Sequence, residues 1–257
     1  MTRLLNKGLK NKIRLDHFVV DKGLVKSRSR VKALIMAGKV LVNDIPVDKP
    51  GTLIANDAKI IVKQDDNPFV SRGGLKLEKA LKTIPVSVKG LICLDIGAST
   101  GGFTDCLLQY GAGKVYAVDV GYGQFDWSLR QDSRVTVIER TNIRHMPYEV
   151  INEKVDVVVA DTSFISLKTV IPSAEKFMRD DTQVLALIKP QFEAGKKNIG
   201  KGGVVKDPEI RKMVIEELKK FFKEKGYRIN QVVPSPICGP KGNIEYIISL
   251  TFKENLK

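Results

Sequence analysis

Leu91-Ile92-Cys93-Leu94-Asp95-Ile96-Gly97-Ala98-Ser99-Thr100-Gly101-Gly102-Phe103 is the stretch that decides the fold. Its first residues are apolar and read as a buried parallel strand. A turn of small residues follows, and Phe103 opens a helical pattern through Leu107 and Leu108. This is the first strand–turn–helix of a doubly wound α/β domain, where ligands sit beyond the carboxyl ends of the strands. The turn departs from a dinucleotide-binding G-x-G-x-x-G in one place. A frame running from Gly97 to Gly102 has Ser99 where a middle glycine would let backbone approach a pyrophosphate. A ligand without a pyrophosphate does not need that glycine, and S-adenosylmethionine is such a ligand. Asp95, Gly97, Ala98, Ser99, Thr100, Gly101 and Gly102 are therefore candidate residues for holding a methyl donor rather than NAD or FAD.

Working outward, strand and helix patterns alternate from Leu91 onward. Strands are expected at 91–96, 114–118, 135–139, 155–160 and 183–188, with a helix from Leu75 to Leu81 before them. A long amphipathic helix is expected at 208–225, with Pro208 at its start and Gly226 beyond its end. Two last strands, 228–233 and 245–252, have only a turn-rich segment between them, so an antiparallel pairing is expected. A mostly parallel sheet that ends in an antiparallel hairpin resembles the class I methyltransferase fold. The second strand ends in Asp119, about 20 residues past the glycine turn, where a carboxylate accepts hydrogen bonds from ribose hydroxyls. Both NAD and S-adenosylmethionine contain adenosine, so Asp119 points to the nucleoside and not to the cofactor. Asn142, just past the third strand, is placed to meet the adenine edge.

Composition narrows the class. The chain has 257 residues, 43% of them hydrophobic, enough for one large α/β domain plus a small module. Its net charge is +14, and the charge is unevenly spread. Residues 1–72 hold 15 Lys and Arg against 7 Asp and Glu, while the other 185 residues hold 28 against 22. Such a gradient suggests a polyanionic partner. Cys93, Cys106 and Cys238 are scattered and His17 and His145 are the only histidines, so no disulfide framework and no metal site are expected. No apolar run approaches the length of a membrane span, and no apolar segment follows the basic N-terminus as in a secretion signal. A cytoplasmic protein without integral membrane association is the expectation.

The basic quarter reads as a compact α+β unit. Residues 13–20 carry apolar side chains at helical spacing, and Lys22-Gly23 gives a stop. Ser27 is a good N-cap for a second helix, Ser27 to Ala37, with Val31, Leu34 and Ile35 on one face and Gly38 at its end. Short strands at 39–42 and 58–62 follow, with an Asn43-Asp44 turn between them. Arg28 and Lys32 are i,i+4 neighbours, flanked by Lys26, Arg30 and Lys39. Together with Arg14-Leu15-Asp16, Gly23 to Arg28, Leu34 to Asn43 and Val47 to Pro50, this text resembles the S-four RNA-binding domain. The resemblance implies RNA contact by Arg14, Lys26, Arg28, Arg30, Lys32 and Lys39. Neutralising phosphates in this way makes binding strongly salt-dependent.

Val157-Val158-Val159-Ala160-Asp161 delivers an acid to the sheet edge that holds the glycine turn. The next strand ends in Ile188-Lys189-Pro190, and a lysine at the mouth of an apolar strand calls for a partner such as Asp161. Ser71-Arg72-Gly73-Gly74-Leu75-Lys76-Leu77, the Asp95–Gly102 loop, Asp161-Thr162-Ser163-Phe164-Ile165-Ser166 and Gly242-Asn243-Ile244-Glu245 together resemble the TlyA family. Its members, often labelled haemolysins, join an S-four domain to an FtsJ-like RNA 2′-O-methyltransferase domain. The resemblance implies a catalytic Lys–Asp–Lys–Glu set at Lys76, Asp161, Lys189 and Glu245. Asp161 also borders the cofactor, and Arg72 joins the RNA-facing residues. A ribose hydroxyl is a poor nucleophile, so it must be held in line and relieved of its proton. Two neighbouring lysines lower each other's pKa, which suits one of them to act as base. Lys189 is assigned that part, with Asp161 orienting it, Lys76 positioning the hydroxyl and Glu245 holding a lysine.

The expected organisation is an S-four-type domain over 1–63, a linker over 64–72 and a Rossmann-like methyltransferase domain over 73–257. The expected activity is S-adenosylmethionine-dependent 2′-O-methylation of ribosomal RNA within ribosomal subunits. Two alternatives follow from the same text. One is a membrane-active haemolysin, which liposome leakage without RNA or cofactor would reveal. The other is a non-catalytic ribosome-assembly factor, which would fail to bind the cofactor.

Overall fold

A computed structural model describes residues 12–25, 28–63, 67–200 and 202–254. The chain divides into two compact units, Met1–Pro68 and Phe69–Lys257.

In the first unit, β1 (Lys12–Arg14) leads directly into α1 (Leu15–Asp21), followed by α2 (Arg28–Met36), β2 (Val40–Val42), β3 (Ile45–Pro46), β4 (Leu53–Ala55) and β5 (Ile60–Val62). The core is made where Leu15, Phe18 and Val19 of α1 meet Val31, Leu34 and Ile35 of α2 and Val40 of β2. Gly38 closes α2 in the left-handed conformation, φ +66°. There Gly38 N donates to Ile35 O and Lys39 N to Leu34 O, satisfying carbonyls at the helix end. The helical spacing from Ile13 holds only from Leu15. Ile13 lies instead in a three-residue strand opposite Ile54, antiparallel to β4. So short a strand has no period of its own, and its pairing partner decides it. Ser27 and Lys26 lie outside the described residues.

The second unit contains α3 (Gly73–Thr83), β6 (Ile92–Ile96), α4 (Gly102–Gln109), β7 (Lys114–Val118), α5 (Trp127–Arg130), β8 (Val135–Ile138) and β9 (Val155–Ala160). It continues with α6 (Leu167–Ser173), β10 (Met178–Ile188), α7 (Pro190–Glu193), α8 (Pro208–Glu224), β11 (Arg228–Pro234) and β12 (Tyr246–Thr251). One sheet of seven strands runs β11-β12-β10-β9-β6-β7-β8. The strands β6 to β10 are mutually parallel where they pair, and β12 is antiparallel to both β10 and β11. The fold is α/β and Rossmann-like, with the expected terminal hairpin.

Alternation along the strands explains why both faces are covered. Leu94, Ile96, Tyr116, Val118, Val158 and Ala160 face one core together with residues of α6 and α8. Cys93, Val115, Ala117, Val157 and Val159 face the other, with Leu77 of α3 and Phe103 and Leu107 of α4. From β6 the chain builds outward through β7 on one side, and β9 then returns to the other side of β6. The crevice at the carboxyl ends of β6 and β9 is thus the topological switch point, where such sheets bind ligands.

Of the expected 64–72 linker, residues 67–72 are described, and several of them are packed. Phe69 is buried in the core of the second unit, and Val70 N donates to Asp105 Oδ2 at 2.7 Å. Two residues before Phe69, Asn67 O accepts from Arg30 Nη2 at 2.7 Å. A lone aromatic in a polar stretch leaves no periodic signal, because its pocket is made by α3 and α4 elsewhere in the chain. β10 also starts earlier than expected, at Met178, with an irregularity in its pairing to β9 before Gln183.

Candidate active site

The carboxyl end of β6 turns sharply at Gly97, φ +83°. A Cβ there would lie 2.8 Å from the Asp161 carbonyl oxygen, so the glycine brings the ends of β6 and β9 together. Ser99, at the position of the missing glycine, adopts a left-handed φ of +50°. Its N–H donates to Asp119 Oδ2 at 2.7 Å, and Gly121 N donates to Oδ1 at 2.6 Å. The acid at the end of β7 therefore fastens the turn and the loop after its own strand. It borders a small hollow together with Ser99, Gln124 and Glu139.

Beyond this edge lies a cleft of about 450 Å³. Gly97, Ala98, Ser99, Thr100 and Gly102 form one wall, Lys76, Asp161, Ser163 and Lys189 another, and Arg72 and the 237–240 segment a third. The four residues expected to be catalytic come from α3, the ends of β9 and β10, and the start of β12. They form two ion pairs. Lys189 Nζ lies 2.5 Å from Asp161 Oδ1, and Lys76 Nζ lies 2.6 Å from Glu245 Oε2. Lys189 also donates to Ser163 Oγ at 3.0 Å. Glu245 is fully buried, and its Oε1 has no hydrogen-bond partner among the described residues. Gly239 leaves room for it, since a Cβ there would stand 2.0 Å from Oε1.

Three candidate cofactor residues line neither the cleft nor the hollow. Asp95 is fully buried beneath the loop, where its Oδ2 accepts from Thr104 Oγ1 at 2.6 Å. Burial pushes its carboxyl up to about 7, against the pull of the Thr104 hydrogen bond. Gly101 has φ +94° and packs over Leu129 and Phe125. Asn142 turns its side chain to its own loop, with Oδ1 accepting from Arg144 N at 3.1 Å. The positions were legible in the sequence, but which way Asp95 and Asn142 turn depends on the donors that fold against them, Thr104 for the one and Arg144 N for the other.

Of the candidate RNA-facing residues, Arg28 and Lys32 are exposed on α2. Arg14 makes a bidentate pair with Asp16, at 3.0 and 2.8 Å, while Arg30 bonds the Asn67 carbonyl. Lys39 is half-buried, and Lys26 lies outside the described residues. Arg72, in the second unit, is exposed and donates to Cys238 O at 3.0 Å at the cleft rim.

Further residues bear on the site that the sequence reading passed over. Phe164 is 89% exposed with a left-handed φ of +64°, and its ring rests on Phe192, centroids 4.9 Å apart. Glu193 accepts from Ser166 Oγ at 2.6 Å and Leu167 N at 2.8 Å, capping α6. The segments after β9 and β10 are thus tied at Asp161–Lys189, Ser163–Lys189, Phe164–Phe192 and Ser166–Glu193. Proximity of these residues to Asp161 and Lys189 in the chain was the available signal. Gly239 had none.

The donor set suits a particular ligand. The hollow beside the cleft holds the carboxylates Asp119 and Glu139, which would repel a pyrophosphate but can accept from a nucleoside's hydroxyls, while in the cleft Asp161 stands among Arg72, Lys76 and Lys189. Among the described residues, no group of three or more His, Cys, Asp and Glu could hold a metal ion, and no helix is long and apolar enough to cross a membrane.

Known families match both units of the chain. The family described as FtsJ-like methyltransferase matches residues 69–252, and the S4 domain matches residues 13–64. A Bacillus subtilis protein bearing the label rRNA methyltransferase YqxC is 48% identical, over 93% of this chain and 85% of its own length. The 16S/23S rRNA (cytidine-2′-O)-methyltransferase TlyA of Mycobacterium tuberculosis is 46% identical, over 92% of this chain and 89% of its own. A solved structure from Streptococcus thermophilus, bearing a hemolysin label, is similar with a TM-score of 0.75 at 42% identity, covering 95% of this chain and 90% of that one.

Proposed function

Because this chain belongs to the FtsJ-like methyltransferase family and carries an S4 domain ahead of that domain, we propose that it methylates ribose 2′-hydroxyls of ribosomal RNA, using S-adenosylmethionine. The observation that carries the reading is the meeting of two amine–carboxylate pairs, Lys189–Asp161 and Lys76–Glu245, beside the glycine turn. The TlyA relative, named for cytidine-2′-O methylation, supports the same chemistry. Ribosomal subunits in the cytoplasm are the proposed substrate particles.

Gly97, Ala98, Ser99, Thr100 and Gly102 would hold the cofactor along the loop, with Asp119 accepting from its ribose hydroxyls. When bound, S-adenosylmethionine supplies a methyl on a sulfonium that is already activated toward attack. The protein's work is then to aim the nucleophile and remove its proton. Lys76, fixed by Glu245, holds the 2′-oxygen in line. Lys189, held by Asp161 and acting from its neutral form, would take the proton as the O–H bond breaks, the O–CH₃ bond forms and the donor's S–CH₃ bond breaks, its electron pair staying on sulfur. Exposed Phe164 offers a flat apolar face on which a nucleotide base can stack. Arg28 and Lys32 of the first unit contribute phosphate contacts that set affinity and not sequence.

The test is labelled-methyl transfer to separated ribosomal subunits from cells lacking this protein, with the wild type and Lys189→Ala. Transfer to a ribose by the wild type, and its loss in the variant with cofactor affinity intact, is expected. Undiminished transfer by the variant would refute the assignment.

A further inference from the structure

We infer that Ser163 is a positioning residue for the reaction, one that fixes the direction of the Lys189 amine. The inference rests on the reading of Lys189 as the proton acceptor and extends it.

Lys189 enters the cleft from the end of β10, and only 7% of the residue is exposed. Among the described residues its nitrogen is bound by two polar neighbours, Asp161 Oδ1 at 2.5 Å and Ser163 Oγ at 3.0 Å. A tetrahedral amine has four directions. One is the bond to Cε, and in the neutral form two are N–H bonds and one is the lone pair. When the two N–H bonds point to Asp161 and Ser163, the lone pair has a single direction left. With Asp161 alone, the second N–H and the lone pair could exchange places, and the lone pair would be divided between two directions. Two anchors turn a nearby base into an aimed one, which is what proton transfer in a near-attack geometry requires.

The surrounding backbone is built to hold Ser163 still. Phe164, the next residue, is kept at φ +64°, a conformation that costs a non-glycine residue free energy. Its ring is braced on Phe192 at 4.9 Å, and two residues later Ser166 is bound by Glu193 at 2.6 Å. Phe192 and Glu193 follow Lys189 by three and four residues, so the same segment that presents the amine also holds the loop that presents the hydroxyl.

The experiment compares Ser163→Ala, Ser163→Thr, Lys189→Ala and the double variant Ser163→Ala/Lys189→Ala in the full chain. Steady-state methyl transfer to ribosomal subunits is measured together with cofactor binding by calorimetry. Ser163→Ala should lower kcat about tenfold with KM for RNA and cofactor affinity unchanged. Ser163→Thr, which keeps the hydroxyl, should restore most of the rate. Lys189→Ala should lose about a hundredfold or more, and adding Ser163→Ala should cost nothing further, because the serine acts only through the lysine. A wild-type kcat in Ser163→Ala, a change confined to KM, failure of Thr to rescue, or an additive loss in the double variant would overturn the inference. Retained activity in Lys189→Ala would instead overturn the reading on which it rests.

Discussion

Breaking the Lys76–Glu245 pair should destabilise the protein far more than removing it whole. The two side chains are 10% and 0% exposed and meet at 2.6 Å. Among the described residues Glu245 Oε1 already lacks a partner, so Lys76 is the main compensation for a carboxylate that has left water. Lys76→Met strands that charge, at a cost of about 3–5 kcal/mol, a large part of the stability of an ordinary domain. Lys76→Met/Glu245→Met replaces both by apolar side chains of similar volume, and most of that cost should disappear, leaving a coupling of about 2 kcal/mol or more. Urea unfolding followed by far-UV circular dichroism is the suitable assay. The only tryptophan, Trp127, is 70% exposed and reports poorly on burial. All these variants should fail to transfer methyl groups, which would separate the pair's chemical use from its structural one. A loss below about 1 kcal/mol in Lys76→Met, or a double variant as unstable as the sum of the singles, would refute the argument that the charge of Glu245 depends on Lys76.

Asp95→Asn should flatten the pH dependence of stability. The folded carboxyl sits at about 7, above its ordinary 3.8, so its contribution is fully present below pH 4 and is lost as pH rises toward 7. Between pH 4.5 and 8 the parent should lose on the order of 3 kcal/mol relative to the variant, measured from urea midpoints, and parallel curves would contradict it. Gly97→Ala must place a Cβ 2.8 Å from the Asp161 carbonyl at φ +83°, so cofactor affinity by calorimetry should fall by about tenfold or more, together with a strain cost of about 1–3 kcal/mol in thermal melts. An unchanged titration would show that the two strand ends are not held as described. Arg28→Ala/Lys32→Ala should weaken RNA binding and reduce its log–log salt slope by about two, read by filter binding at several KCl concentrations. An unaltered slope would move the phosphate contacts elsewhere.

Much of the architecture was legible because it is written locally. The strand at Leu91–Ile96, its small-residue turn and the helix from Gly102 are contiguous, and their order alone implies a doubly wound sheet. The antiparallel end was legible from the lack of room for a crossover between 228–233 and 245–252. Lys189 and Asp161 stood out because polar residues ending apolar strands are costly without partners. Lys76 and Glu245 carry no such local mark, and only resemblance to a family motif singled them out. What tertiary structure alone decided is direction and pairing. Asp95 ends buried under the loop and not in the cleft because α4 brings Thr104 against it, and Phe69 leaves the linker because α3 and α4 make its pocket. Lys76 and Glu245, 169 residues apart, become partners only when α3 is laid beside β12, and Gly239 matters only because Glu245 fills the space its missing side chain leaves. Sequence order sets which residues reach an edge of the sheet, whereas packing between distant elements sets where each side chain then points.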